Sequence, residues 1–264
     1  MRFFDQLEQR SREADSLVCV GLDPDFRKHR AQDLATFTRA IVEATAEYAA
    51  CYKPNMAFYE QYGIPGLQAL EATLRAIPAN IPVICDAKRG DVGNTAEAYA
   101  RAIFETWGFG AATVNAYQGS DAVAPFLAHE GKAVFILCRT SNPGSREFQE
   151  QLLQDGRMLY QYVASTVTSW SADIGLVVGA TAPRELADVR RLAPAAPLLV
   201  PGVGAQGGRA EDVVRSAGYE PGRLVVNASR SILYASEGAG FAEAAGQAAR
   251  ALRDELRAAA ALRA

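Results

Sequence analysis

The feature that most restricts the fold of this chain is a regular alternation of short apolar segments with longer segments of helical periodicity. Most of the short segments are rich in Val and Ile and are bounded by Gly, Pro, Asp or Asn, as expected for strands buried on both faces of a parallel sheet. There are eight of them: residues 17–22, 49–53, 81–86, 111–115, 133–138, 174–179, 198–203 and 223–227. The segment 49–53 has the weakest strand pattern.

Between these segments apolar residues recur at helical spacing, as in Leu34, Phe37 and Ile41, and the Ala-rich tail over 241–262 favours helix by propensity. Eight strand–helix units in about 250 residues predict a closed (β/α)8 TIM barrel. No Pro-, Gly- or Ser-rich linker divides the chain, so we predict a single catalytic domain over residues 1–264. A doubly wound open sheet is the alternative, and in both folds ligands bind at the carboxyl ends of the strands.

Composition excludes several classes of protein. The net charge of −3 provides no strong positive field for nucleic acid or an anionic membrane. Two histidines, His29 and His129, are too few for a three-histidine zinc site. The cysteines form no C-x-x-C pair and indicate buried thiols in a reducing compartment; they are Cys19, Cys51, Cys85 and Cys138. A charged N-terminus and the lack of an apolar run of about 18 residues predict a cytoplasmic protein without a membrane span.

The densest group of charged residues follows the third predicted strand and consists of Asp86, Lys88 and Asp91. If that strand continues to Lys88, then Asp86 and Lys88 point to the same side, because side chains alternate along a strand. Lys53 ends the second strand and can approach the same place, which would give two cations and two carboxylates in alternation. Carboxylates on either side would keep Lys88 charged in a desolvated cavity, as a proton donor. A solvated surface salt-bridge cluster is the alternative interpretation.

The ends of the last two strands have the features of a phosphate site. The loop 202–208 contains four glycines whose amides can approach an anion, and it includes Gln206. Arg230, after the eighth strand, can bind phosphate oxygens in a bidentate manner. Residues 202–207 also match G-x-G-x-x-G, but they follow the seventh strand rather than an early βαβ unit, and no acidic residue stands at the required offset, which argues against dinucleotide binding.

Other polar residues near strand ends allow two interpretations each. Asp23 either binds a sugar hydroxyl or closes a turn before Pro24. Ser141 either contacts a ligand or belongs to a loop turn. Thr95, with Asn94 and Glu97, fits a capping box that would begin a helix. The segment 145–171 is longer than one barrel helix and is expected to contain an added helix or a lid.

Several of these segments together resemble the orotidine 5′-phosphate decarboxylase family, in particular its longer bacterial form. Residues 86–91, Asp-Ala-Lys-Arg-Gly-Asp, match the family signature D-x-K-x-x-D. The similarity covers nearly the whole chain in the family's order. The other matching blocks are Val20-Gly-Leu-Asp-Pro24, Lys53-Pro-Asn55, Thr140-Ser-Asn-Pro-Gly144, the loop 201–208 and Ser229-Arg-Ser-Ile232.

This resemblance implies a barrel, usually a homodimer, that converts orotidine 5′-monophosphate to uridine 5′-monophosphate and carbon dioxide without a metal or organic cofactor. Lys88 would protonate ring carbon 6, and Asp86 would face the departing carboxylate. Lys53 would hold the charged network and contact the ribose. The implied substrate contacts are Asp23 to the ribose, Ser141 to the pyrimidine, Gln206 to base and phosphate, and Arg230 to the phosphate. Asp91 and Thr95 would reach the neighbouring subunit's site.

Three alternatives to this function remain at this point. A sister family of sugar-phosphate decarboxylases shares D-x-K-x-x-D but binds magnesium through an acidic residue on the second strand, where this chain has Lys53. A lysine aldolase would use Lys53 or Lys88 as a Schiff base, although flanking carboxylates would keep the amine protonated. A catalytically silent barrel would bind uridine 5′-monophosphate without turnover.

Overall fold

The computed structural model describes residues 1–25, 27, 33–204 and 207–262. The strands are β1 (Val18–Leu22), β2 (Cys51–Pro54), β3 (Ile84–Arg89), β4 (Ala111–Val114), β5 (Ala133–Arg139), β6 (Ile174–Val178), β7 (Leu198–Pro201) and β8 (Leu224–Ala228). They are parallel and follow the order β2-β1-β8-β7-β6-β5-β4-β3. Each of the eight predicted segments overlaps one of these strands, and the segment 81–86 begins three residues before β3.

The two ends of this sheet meet, which closes the barrel. Tyr52 bridges Val83, and Asn55 bridges Asp86, both in parallel orientation between β2 and β3. The Tyr52 amide donates to the Pro82 carbonyl at 3.0 Å. The (β/α)8 prediction is therefore confirmed and the open doubly wound sheet is excluded.

Helices surround the barrel and follow the strands in turn. They are α1 (Phe3–Glu13), α2 (Leu34–Thr45), α3 (Ala57–Glu60), α4 (Gly63–Ala76), α5 (Gly93–Arg101), α6 (Ser120–Leu127), α7 (Arg146–Gln149), α8 (Leu159–Val167), α9 (Pro183–Leu192), α10 (Ala210–Ala217), α11 (Arg230–Leu233) and α12 (Phe241–Ala261). A π-helical turn, Ala102–Thr106, continues α5, and a 3-10 turn, Pro143–Ser145, precedes α7. In the described part of the chain, no helix has the length and apolar character that crossing a membrane requires.

Two local expectations have clear outcomes. The capping box at Asn94 and Thr95 is wrong, because α5 begins at Gly93 and no side chain caps it. Gly93 has φ +56°, a left-handed conformation that glycine adopts without strain and that turns the chain into the helix before Asn94 is reached.

The segment 145–171 does contain an added helix, α7, followed by an isolated antiparallel bridge between Leu152 and Met158 before α8.

Apolar side chains fill the barrel at the amino ends of its strands. Phe3 and Leu7 of α1 cover this end and join a buried cluster with Cys19, Cys51 and Phe135 from the strands. The Phe3 and Phe135 rings meet edge to face, with centroids 6.4 Å apart. All four cysteines are buried and unpaired, as predicted. Because this end is packed, the carboxyl ends of the strands are left to form a cavity.

The glycine in β6 tests how tightly the barrel interior is packed. A Cβ at Gly175 would lie 2.6 Å from the Phe135 ring and 2.7 Å from the Pro197 carbonyl oxygen. We expect Gly175→Ala to lower the free energy of unfolding by roughly 1–3 kcal/mol, since neither neighbour can move freely. Urea denaturation measures this, with Gly238→Ala as the control, because its nearest neighbour would lie 3.8 Å away. Equal unfolding midpoints for the two variants would contradict the packing described here.

Candidate active site

A cavity of about 780 Å³ lies at the carboxyl ends of the strands. Six of the residues predicted from sequence line it: Asp23, Lys53, Asp86, Lys88, Ser141 and Arg230. Gln206 lies outside the residues that the structure describes. The clustering predicted from strand ends is therefore present for residues from β1, β2, β3, β5 and β8, which are up to about 200 positions apart in the sequence.

The centre of the cavity is a chain of three charges on two neighbouring strands. Lys53 Nζ lies 2.7 Å from Asp86 Oδ2, and Lys88 Nζ lies 2.5 Å from Asp86 Oδ1. The side chains of Lys53 and Asp86 are only 4% and 9% exposed, whereas that of Lys88 is 47% exposed. Asp86 is thus held between two cations, and Lys88 is the cation that is accessible from the cavity.

Burial and charge act in opposite directions on this chain of residues. Burial alone would lower the pKa of Lys53, but the carboxylates of Asp86 and Asp23 outweigh it and raise the pKa above the usual value for lysine. Burial alone would raise the pKa of Asp86, but Lys53 and Lys88 outweigh it and hold the pKa well below the usual value for a carboxyl. Both groups are therefore charged at neutral pH, and Lys53 is a poor amine nucleophile.

The backbone at Lys88 departs from a regular strand. Its φ of +48° is in the left-handed region, which costs a non-glycine residue about 1–3 kcal/mol. The pairing of β3 with β4 shifts register between Cys85 and Arg89. Lys88 Nζ and Asp86 do meet, as the sequence predicted, but a bulge brings them together rather than simple alternation along a strand.

Asp23 lies beside Lys53 and is held from several sides. Its Oδ1 accepts a hydrogen bond from the Asn55 amide at 3.2 Å, and Ser229 also hydrogen bonds to the carboxylate. Burial raises its pKa, and the charge of Lys53 opposes that shift. The Tyr234 hydroxyl donates to the Asp23 carbonyl at 3.1 Å and so anchors the backbone of this residue. The carboxylate lines the cavity, in agreement with a ligand-binding role.

The loop after β5 receives support from the added segment. Gln149 of α7 accepts a hydrogen bond from the Thr140 amide at 2.8 Å and donates one to Thr140 Oγ1 at 2.9 Å. The buried guanidinium of Arg139 lies 2.6 Å from Glu150, which ties the same turn to the end of β5. Gln149 lines the cavity next to Ser141. No motif in the sequence points to Gln149 as a residue of the site.

The opposite rim of the cavity is formed after β7 and β8. Gly202, Val203 and Arg230 line it, and Arg230 is exposed at the start of α11. Gly204 and Gly207 have φ values of +77° and +89°, which explains why glycine is needed in this loop. An exposed guanidinium facing a glycine-rich loop has the chemistry of an anion site.

Two predicted residues lie away from the cavity within one chain. Asp91 accepts a hydrogen bond from the Val92 amide at 2.8 Å, and Thr95 is exposed on α5. Neither lines the cavity. Within this chain the second carboxylate beside Lys53 is Asp23. The action of Asp91 and Thr95 in a neighbouring subunit's site stays a prediction.

A buried hydroxyl completes the charged network and was missed by the sequence analysis. Thr113 of β4 donates to Asp86 Oδ1 at 3.0 Å and accepts from the Lys88 amide at 2.9 Å. Its only sequence signal is a polar residue in an otherwise apolar strand. Over the described ranges, no group of three or more His, Cys, Asp or Glu side chains has the arrangement of a metal site.

Comparison with known proteins decides the family. The profile of the orotidine 5′-phosphate decarboxylase / HUMPS family matches residues 16–245. The chain belongs to this family. Its curated relatives include the orotidine 5′-phosphate decarboxylases of Roseiflexus castenholzii, 50% identical over 98% of both chains, and Thermomicrobium roseum, 48% identical over 97% of this chain and 95% of the relative. The resemblance stated from sequence blocks is confirmed.

Solved structures of the family agree with the fold. The orotidine 5′-monophosphate decarboxylase of Leishmania donovani superposes with a TM-score of 0.86 at 40% identity, covering 98% of this chain and 99% of that one. A structure from Toxoplasma gondii described as a decarboxylase of the same substrate gives 0.87 at 34% identity, covering 100% and 99%. The similarity spans the barrel and the added segment, since the superpositions cover nearly the whole of both chains.

Proposed function

We propose that this chain catalyses the decarboxylation of orotidine 5′-monophosphate to uridine 5′-monophosphate, the last step of de novo pyrimidine biosynthesis, in the cytoplasm and as a homodimer. Membership of the family and full-length relatives near 50% identity support the reaction. The observation that carries the proposal is the Lys53–Asp86–Lys88 network, in which Lys53 and Asp86 are buried and Lys88 opens into the cavity. The organisation as one domain over residues 1–264 stays a prediction.

In the proposed reaction the bond between ring carbon 6 and the carboxylate breaks, and its electron pair stays on the carbon. The Lys88 ammonium stabilises that charge as it develops and donates its proton to carbon 6. Carbon dioxide leaves, and Lys88 regains a proton from solvent. Asp86 holds Lys88 in position, and Lys53 keeps Asp86 ionised, so Asp86 stays charged although it is buried.

The remaining substrate would lie along the cavity from Asp23 to Arg230. Asp23 would bind ribose hydroxyls, Ser141 would contact the pyrimidine and Arg230 would bind the phosphate, with Gln206 between base and phosphate. The phosphate is remote from the reacting carbon. Its binding energy would orient the ring over Lys88 and so contribute to the rate rather than to affinity alone.

A direct assay tests this function. The ultraviolet absorbance of orotidine 5′-monophosphate is followed as the protein is added, with excess chelator present. Conversion in chelator supports the proposal and argues against the magnesium-dependent sister chemistry. Binding of uridine 5′-monophosphate without conversion would support a silent barrel instead. A folded protein that neither converts nor binds these nucleotides would refute the proposal.

The proposed dimer predicts that Asp91 and Thr95 act in the neighbouring site. Both lie beside exposed apolar side chains, Val92 at 46% and Tyr99 at 36% exposure, which an interface would cover. Inactive Lys88→Ala subunits mixed with inactive Asp91→Ala subunits would then form hybrid dimers with one intact site. We expect a 1:1 mixture to recover about a quarter of the native activity, since half of the dimers are hybrids. A mixture that stays inactive after its subunits have exchanged would contradict shared sites.

The contact of Gln149 with the β5 loop predicts a role in substrate binding. Gln149→Ala removes two hydrogen bonds to Thr140, and we expect KM to rise about tenfold because the loop that carries Ser141 loses its support. Gln151→Ala is the matched control, since its exposed side chain donates to the Glu147 carbonyl on the surface. Steady-state kinetics measure both variants, and an unchanged KM in Gln149→Ala would contradict this role.

A further inference from the structure

The Thr113 hydroxyl has a defined direction in its two hydrogen bonds. The Lys88 amide can only donate, so Thr113 Oγ1 accepts at 2.9 Å. Asp86 is ionised and can only accept, so the single hydroxyl proton of Thr113 points to Oδ1 at 3.0 Å. The residue is 2% exposed, and water has little access to either bond. Thr113 therefore links the backbone of Lys88 to the carboxylate that binds the Lys88 ammonium.

This link lies where the β3–β4 ladder is interrupted. The register shifts between Cys85 and Arg89, and regular pairing resumes when the Asn115 amide donates to the Arg89 carbonyl at 2.7 Å. Within the interruption, the Thr113 side chain replaces the backbone partner of the Lys88 amide. It thereby satisfies a backbone donor in a residue whose φ of +48° is unfavourable.

Packing alone does not explain a hydroxyl at this position. The residues that line the cavity from the next three strands are apolar: Leu137, Val177 and Leu199. Valine has the shape of threonine and would fill the same space without burying a polar group. The hydroxyl is thus explained by the two groups it contacts.

We propose that Thr113 is a positioning residue for the decarboxylation, an inference that rests on the proposed function. It holds the strained Lys88 backbone and orients the Asp86 carboxylate so that Oδ2 binds Lys53 while Oδ1 binds Lys88. With the hydroxyl removed, Asp86 can rotate and the Lys88 backbone can relax. Lys88 Nζ then no longer points toward carbon 6 of the substrate. Small displacements of a catalytic group slow a reaction strongly.

Two pairs of variants test the proposal. Thr113→Val keeps the shape and removes the hydroxyl, whereas Thr113→Ser keeps the hydroxyl. We expect Thr113→Val to lower kcat at least tenfold while the Kd of uridine 5′-monophosphate, measured by calorimetry, changes less than twofold. We expect Thr113→Ser to keep kcat within about threefold of the native value. If the valine variant does not fold, Thr113→Ala against Thr113→Ser gives the same comparison of hydroxyl present and absent.

The outcomes separate this inference from the function on which it rests. A native protein that does not convert orotidine 5′-monophosphate refutes both. If the native enzyme turns over and Thr113→Val or Thr113→Ala keeps kcat within twofold of the native value, the role of Thr113 alone is refuted. Equal losses of kcat in Thr113→Ser and Thr113→Val would show that the hydroxyl does not set the rate, since the serine variant keeps it. Equal losses in Thr113→Ser and Thr113→Ala would assign the effect to the methyl group. A parallel loss of nucleotide binding would assign the effect to general damage, and each of these results overturns the proposal.

Discussion

Replacement of Lys88 by alanine is expected to lower the rate of orotidine 5′-monophosphate decarboxylation by roughly 10⁴-fold or more, since it removes both the proton donor and the charge that stabilises the forming carbanion. Binding of uridine 5′-monophosphate should persist, because the groups proposed to bind ribose and phosphate remain. The structure supports this separation, as Lys88 is half exposed in the cavity and its loss creates no buried void. Absorbance kinetics and calorimetry on the same preparation measure the two effects.

Lys88→Arg is the control that distinguishes charge from proton transfer. A guanidinium preserves the ion pair with Asp86 but does not release a proton at neutral pH. We therefore expect this variant to be nearly as slow as the alanine variant. Activity above a tenth of the native rate in either variant would contradict Lys88 as the proton donor.

Replacement of Asp86 by asparagine is expected to be the most destabilising change in the site. It leaves Lys53, which is 4% exposed, without the carboxylate that it contacts at 2.7 Å. Removal of one partner of a buried pair costs on the order of 3–5 kcal/mol, and we expect a loss of that size in the free energy of unfolding at pH 7. Decarboxylation should also be lost, because Lys88 is no longer held by a charged partner.

The pH dependence of this loss has a definite sign. The folded pKa of Asp86 lies below its unfolded value, so its contribution is fully present above the unfolded pKa of about 4. It disappears as the pH falls below about 4 toward the lower folded pKa. The difference in stability between the native chain and Asp86→Asn should therefore be largest near neutrality and shrink in acid.

Urea denaturation at several pH values measures this difference. Asp155→Asn is the matched control, since Asp155 forms an exposed pair with Arg157 at 2.6 Å and such pairs contribute about 0–1 kcal/mol. A loss in Asp86→Asn that is no larger than in Asp155→Asn, or one that grows toward acid, would contradict the ion pair described here.

The fold could be predicted because a strand buried on both faces is apolar along its whole length. The segment 133–138 became Ala133–Arg139, and the segment 198–203 became Leu198–Pro201. The weakest segment, 49–53, was placed two residues early relative to Cys51–Pro54, since Ala49 and Ala50 are buried without being in the strand. The apolar pattern specifies which residues are buried, whereas backbone hydrogen bonding decides where each strand begins and ends.

The centre of the site could be predicted for a different reason. Parallel strands that close into a barrel bring their carboxyl ends together, so polar residues after the strands must converge. This rule alone predicts that Asp23, Lys53, Asp86 and Lys88 share one site, and all four line the cavity. The matching motif blocks then indicated the family, which the comparison confirmed.

The tertiary structure decided the contacts that depend on strand register and on turns. Thr113 reaches Lys88 across 25 positions because a bulge shifts β3 against β4, and no local pattern encodes that shift. Gln149 enters the cavity because the Arg139–Glu150 pair folds α7 back onto β5. Asp91 belongs to the same signature as Asp86 and Lys88 but does not line the cavity of its own chain, because β3 ends at Arg89, two residues before it. A sequence specifies which side chains are buried or stand at strand ends, whereas their partners follow from how distant strands pair.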